Sequence, residues 1–167
     1  MKPMWLVAAL VTLQGVIGSA DIGVIGHFQP ADRLQVVPYR SIPLMLVVPA
    51  SHPLASRGAI SFAEALEFDL ITLVQGTAVR GWALAAAARM ARKPKFKMQV
   101  QSYEAMRAMV HAGLGIAVIP APNILPYKDL FEVRALRLTD DWACMQLFIV
   151  CARHMAGTPA IDDLLAH

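Results

Sequence analysis

The sequence predicts an α/β fold built on parallel strands with helices on both faces of the sheet, and three observations predict it. The 167 residues are 57% apolar and only 16% charged, well under the roughly 25% charge of ordinary soluble domains. That surplus suits strands buried on both faces. Short β-rich runs alternate with helical stretches in the order strand, helix, strand, helix, strand, helix, strand. The crossovers between them are a dozen or more residues long, which calls for parallel pairing. The same composition excludes a disordered tail, which needs high charge and few apolar residues. The 10 glycines and 11 prolines follow no period, excluding a collagen-like repeat, and two cysteines make no disulfide framework.

Residues 3–20 carry no charge, follow Lys2 and end Gly18-Ser19-Ala20-Asp21. A secretory leader fits this pattern, and so does a folded helix over about 4–14 followed by a turn at 15–19 and a strand at 21–25. A membrane span fits less well, because Gln14, Gly15 and Gly18 interrupt the run. Two extended pieces follow, 34–37 and 44–48, separated by Ser41-Ile42-Pro43. Ser51-His52-Pro53 and Arg57-Gly58 are turn chemistry. Ser61 and Glu64 form a capping box opening a short helix to about Glu67, and 69–74 is an apolar strand. Gln75-Gly76-Thr77 leads into a helix rich in alanine that runs to about Lys93, where Pro94 stops it. A strand at 96–101, a helix from the Ser102 cap to Gly113, and a buried strand at 115–119 complete the alternation. Strands at 131–138 and 145–152 and a last helix starting at Thr158-Pro159 close the chain.

Chemistry-bearing motifs are sparse. There is no nucleophile elbow, Walker loop or zinc-protease helix. His27, His52, His111, His154 and His167 lack ligand spacing, so no metal, cofactor or enzyme activity is expected. His111 shares a helical face with Glu104 and Arg107, opposite Tyr103, Met106 and Val110, which reads as a solvated face. Cys144 and Cys151 are seven apart on a strand and face opposite ways; buried reduced thiols are expected, as in the cytosol. The net charge of +3 owes much to Arg89, Arg92, Lys93, Lys95 and Lys97. Without interleaved aromatics these read as a helix end and a solvated strand edge. Gln75-Gly76-Thr77 ends a strand and opens a helix, where free N–H groups and the helix dipole favour an anion. Thr77 as a simple cap of its own helix satisfies the same spacing.

Taken in order, several segments carry a resemblance. They are Ser19-Ala20-Asp21-Ile22-Gly23-Val24-Ile25, Leu46-Val47-Val48-Pro49, His52-Pro53-Leu54-Ala55, Phe68-Asp69-Leu70-Ile71, Gln75-Gly76-Thr77, Val110-His111-Ala112-Gly113-Leu114-Gly115-Ile116-Ala117-Val118-Ile119-Pro120 and Pro159-Ala160. Together they resemble the effector-binding (substrate-binding) domain of LysR-type transcriptional regulators. The resemblance implies a two-lobe fold like that of type 2 periplasmic binding proteins, with a first lobe of residues 1–50 and 145–167 and a second of 51–144. The first lobe is expected to be incomplete, since the family's opening strand and helix have no counterpart here. Its N-terminal winged helix-turn-helix has none either. The family's helix and turn ahead of the Asp21 strand favour a folded helix over a leader at 4–19. Carried over by position, Gln75, Gly76 and Thr77 fall on the second-lobe ligand loop, His27 faces the cleft and can pair with an anion, and Pro120 closes a strand on the same rim.

The implied function is the sensing of a small, anionic effector between the lobes, in a cytoplasmic dimer or larger assembly. No membrane contact is expected, and DNA is contacted only through the winged helix-turn-helix. A periplasmic solute-binding protein serving a transporter is the alternative, and a non-sensing remnant that self-associates is a third reading.

Overall fold

The computed structural model describes residues 6–7, 22–26, 34–75, 77–152 and 159. The chain divides into two compact units, residues 1–41 with 146–167, and residues 42–145. Two strands, β3 (Leu34–Pro49) and β9 (Cys144–Ala152), run through both.

In the first unit, β1 (Leu6–Val7) pairs in parallel with β2 (Ile22–Ile25), and β2 pairs antiparallel with β9. Leu6 and Val7 therefore form a strand where the sequence predicts a helix. A short apolar run has no periodicity to separate the two, and the pairing partner decides. The rest of that expected helix, the Thr158 cap and nearly all of the last helix lie outside the described residues. Ile149 and Cys151 are the buried centre of this unit, flanked by Val24 and Tyr39.

The second unit holds β4 (Ala59–Ile60), β5 (Asp69–Leu73), β6 (Lys95–Val100), β7 (Ile116–Pro120) and β8 (Val133–Leu138) in the order β4-β8-β3-β7-β5-β6. The crossover strands β7, β5 and β6 are parallel. Leu44, Leu46, Val47 and Val48 are buried, but both neighbours of β3 are antiparallel to it. Burial on both faces thus marks a central strand, not a parallel one. The two extended pieces expected at 34–37 and 44–48 are one strand of 16 residues, which Pro43 does not break. A strand tolerates proline wherever the missing N–H has no ladder partner.

Helix α1 (Phe62–Ala65) begins at the expected capping box: Ser61 Oγ accepts from Glu64 N, and the Glu64 carboxylate accepts from Ser61 N at 3.1 Å. Arg57 beside it, with Ser61, holds the Glu64 carboxyl down to about 2. The 52–55 turn preceding it is closed by the Leu54 N–H, which donates to His52 Nδ1 at 3.2 Å, while the imidazole packs edge-on against Phe68 at 4.8 Å. An acceptor Nδ1 must be unprotonated, and burial pushes this imidazole below its ordinary value. The stability this adds is present above the unfolded histidine's pKa, roughly 6.5. It is lost as pH falls through the lower folded value, because the unfolded chain takes up the proton first. Urea midpoints of the parent are expected to fall in that window, and His52→Gln, which keeps an acceptor but does not titrate, is expected to flatten the fall.

Helices α2 (Ala78–Arg89) and α3 (Tyr103–His111) end in the same motif. After α3, Gly113 N bonds Val110 O and Leu114 N bonds Met109 O, with Gly113 at φ 73. After α2, Ala91 N bonds Ala88 O and Arg92 N bonds Ala87 O, with Ala91 at φ 52. This is the left-handed C′ cap in both cases, once with glycine and once without. Because the sequence offers no glycine there, Pro94 is its only visible stop, and the helix ends four residues before Lys93. Ala91→Gly is expected to stabilise the chain, and Gly113→Ala to destabilise it, each by roughly 1 kcal/mol. Thermal melts of the two variants read both signs. Gly115 serves a different need: a Cβ there would sit 2.8 Å from the Asp69 carbonyl oxygen of β5.

Candidate functional site

Parallel pairing fixes which residues share an edge. Leu70 pairs with Ile116 and Ile71 with Ala117, so the carboxyl ends of β5 and β7 lie on one side of the sheet, with that of β6 beside them. Val74 N bonds Val100 O there at 3.0 Å. Gln75 and Thr77 follow β5 and Pro120 ends β7, so these three come to the same edge. Two helix starts, α2 after Thr77 and α3 after Ser102, are aimed there as well. Gln75 is exposed, Thr77 half-buried and Pro120 buried in its strand. Gly76 and His27 lie outside the described residues.

The three α-helices begin differently. Ser61 and Ser102 cap α1 and α3 through their side chains, and each first turn carries a glutamate, Glu64 or Glu104. Thr77 occupies the N-cap position of α2, with extended backbone, but its side chain makes no cap bond; its hydroxyl donates to Val74 O at 3.4 Å. The capping role that the spacing allows is therefore not taken up. No acidic residue stands in that first turn; Arg80 does. Free N–H groups, the positive helix pole and a guanidinium thus add with the same sign.

Nothing in the sequence singles out Arg80, because an arginine inside a helical alanine run has no local signature. Its guanidinium stacks on Phe96 at 5.4 Å and donates to Gln99 Oε1 at 3.3 Å, leaving a buried Nε with no partner. Thr72, Thr77 and Arg80 supply the polar lining of a small internal cavity of about 20 Å³ among apolar side chains that include Phe62, Phe96 and Met106. That space suits about one water. A ligand at this edge would therefore contact the outer face of the α2 start.

Other sequence expectations fare variously. Arg107, expected on a solvated face, is 8% exposed. It donates to Asn123 O at 2.6 Å and stacks on Tyr127 at 4.2 Å. The loop at 121–132 folds over this arginine, and helical periodicity alone does not see a loop. His111 is exposed, but its Nδ1 bonds Phe131 O. Cys144 is exposed rather than buried, while Cys151 is buried and its thiol is pushed up by that burial. The strand-end position of Cys144 opens it to solvent. Two cations of the basic cluster pair with carboxylates, Arg92 with Glu67 and Lys97 with Asp69. Among the described residues no group of three or more His, Cys, Asp or Glu could hold a metal ion, and no helix is long and apolar enough to cross a membrane.

The family model for the LysR substrate binding domain matches residues 13–167. Among curated relatives, the uncharacterized HTH-type transcriptional regulator YnfL of Escherichia coli is 24% identical over 152 residues, 90% of this chain and 50% of that protein. A probable RuBisCO transcriptional regulator of Synechocystis is 30% identical over 113 residues, covering 64% of this chain and 33% of that protein. The chain thus spans half the length of one relative and a third of the other. Among solved structures, the effector binding domain of QuiR in complex with shikimate superposes with a TM-score of 0.74 at 18% identity, covering 88% of this chain and 71% of that one. The CcmR regulatory domain of Synechocystis in complex with 2-PG gives 0.77 at 18% identity, covering 92% and 77%. The fold is the α/β, periplasmic-binding-protein-like fold of these domains.

Proposed function

The chain belongs to the LysR substrate binding domain family, and from that membership we propose that it senses a small anionic effector for a LysR-type transcriptional regulator. The observation that carries the charge preference is the start of α2, where an unused N-cap hydroxyl, an acid-free first turn and Arg80 meet. Gln75, Gly76, Thr77 and Pro120 are the proposed contacts from residues 42–145, and His27 is a further proposed contact. Shikimate, named with the QuiR domain, carries a carboxylate, in keeping with such an effector. The relatives are transcriptional regulators, which does not favour the transporter alternative. Within this proposal the protein is cytoplasmic and self-associating, and the DNA is read by a winged helix-turn-helix that precedes such a domain in a regulator. Effector binding acts by shifting a conformational equilibrium, with no bond made or broken.

Thermal melts with citrate, sulfate and small carboxylates test the proposal. A ligand at 100 times its Kd adds about 2.7 kcal/mol. At least one anion is expected to raise the melting temperature saturably, and Thr77→Ala to shrink that rise. Equal rises in variant and parent would remove Thr77 from the site, and no rise with any anion would count against an anionic effector.

A further inference from the structure

The edge of the sheet opposite Thr77 and Pro120 carries a second concavity. Leu44 pairs with Pro120 and Val47 with Ala117, so the end of β3 lies beside the start of β7, at the amino edge of the parallel strands. There, where β3 ends, α3 ends and β8 begins, a groove of about 400 Å³ is lined by Ser51, His111, Asp129, Glu132 and Arg134, with Pro49 and Ala50. This lies within the size range of small-molecule sites.

Its charged side chains are exposed, carry both signs and form no ion pair with one another among the described residues. The ion pairs among the described residues are Arg57–Glu64, Arg92–Glu67 and Lys97–Asp69, none of them in the groove. Among the described residues, Arg134 donates only to the neighbouring Val133 carbonyl, at 3.3 Å. The turn bearing both carboxylates is tied at each end: Ala50 N bonds Glu132 O at 3.1 Å, and Val133 N bonds Lys128 O at 3.1 Å. Glu132 itself is held at φ 48, an unusual state for a residue with a Cβ. A carbonyl only accepts, so His111 Nδ1 carries a proton toward Phe131 O. A plain anion entering this groove meets two carboxylates, and a plain cation meets a guanidinium. A ligand with an ammonium and a carboxylate on one carbon satisfies both.

We propose that this groove is a separate binding site for a free α-amino acid, whose ammonium is taken by Asp129 and Glu132 and whose carboxylate is taken by Arg134. The site stands whether or not the α2 start binds an effector. Three probes of one carbon skeleton test it on the full chain by thermal shift: L-alanine, L-alaninamide and propionate. L-Alanine is expected to protect saturably, and each of the other two to need at least about tenfold more for half the effect. Arg134→Gln is expected to erase the preference over the amide. Asp129→Asn with Glu132→Gln is expected to erase the preference over propionate. Arg134→Lys, which keeps the charge but not the fork, should retain part of the first preference if Arg134→Gln fails to fold. Each probe is also run on Thr77→Ala, so that protection arising at the α2 start is separated from protection at the groove. The proposal is overturned by equal responses to the three probes, by no response to L-alanine, or by preferences that survive the groove substitutions. A dialanine response as strong as that to L-alanine would also overturn it, by pointing to a chain terminus.

Discussion

Phe62→Ala is expected to cost about 3–5 kcal/mol, the range for truncating a fully buried aromatic. Phe62 is 0% exposed, meets Trp142 edge-on at 4.9 Å, and its backbone N–H donates to the Asp140 carboxylate at 2.7 Å. The backbone bond survives the substitution; the ring contact and the packing do not. Phe62 also lines the small cavity beside Thr77 and Arg80, so its loss enlarges a space that already exists. The urea midpoint should fall steeply. A loss of no more than about 1 kcal/mol, the scale of an isoleucine-to-valine truncation, would show that the site relaxes freely.

Arg107→Ala is expected to cost about 2–4 kcal/mol, combining a charge-assisted hydrogen bond with stacking on aromatic faces. No carboxylate pairs with this buried cation among the described residues; Asn123 O, Tyr127 and Phe131 hold it instead. Its buried Nε lacks a partner, so desolvation already offsets part of the gain. Truncation leaves the Asn123 carbonyl unsatisfied and frees the loop that exposes Leu125, Tyr127 and Leu130. Arg107→Lys should recover less than half, because a point charge cannot span a carbonyl and two rings at once. Chemical denaturation gives the energy, and amide exchange at 123–131 shows whether the loop is what comes loose. Unchanged exchange there would mean that the loop is held by other contacts.

How much of this is legible in the sequence depends on how local each signal is. The Ser61–Glu64 box, the Ser102 cap and the Gly113 terminus each rest on residues within one turn, and all three stand where the pattern puts them. The helix-strand alternation across residues 61–120 is equally plain, because each crossover is long, β5 and β7 are apolar runs and β6 alternates. Direction is not legible for β3: Leu44 to Val48 is buried whichever way its neighbours run, and those neighbours are distant in sequence. The same distance hides Arg107, whose environment is built by a loop sixteen to twenty-four residues downstream. At the candidate site, Gln75, Thr77 and Pro120 are reached through an ordered resemblance, and strand register then brings them to one edge. Arg80 needs coordinates, since only the position of Phe96 and Gln99 reveals what its guanidinium lacks.

The narrow flank of α2 bears on how such a receptor could be tuned. Val79, Ala83, Ala86 and Ala87 are buried along one side of this helix, with Ala87 at 0% exposure. The methyl groups of the three alanines have no rotamers to rearrange, so the seat beneath the helix and the direction of its electropositive tip are set by the fold itself. At the proposed effector site, sensitivity would thus be set by carpentry beneath the helix as much as by the groups that touch the guest, and drift at those alanines would shift a dose-response curve from a place no ligand ever reaches.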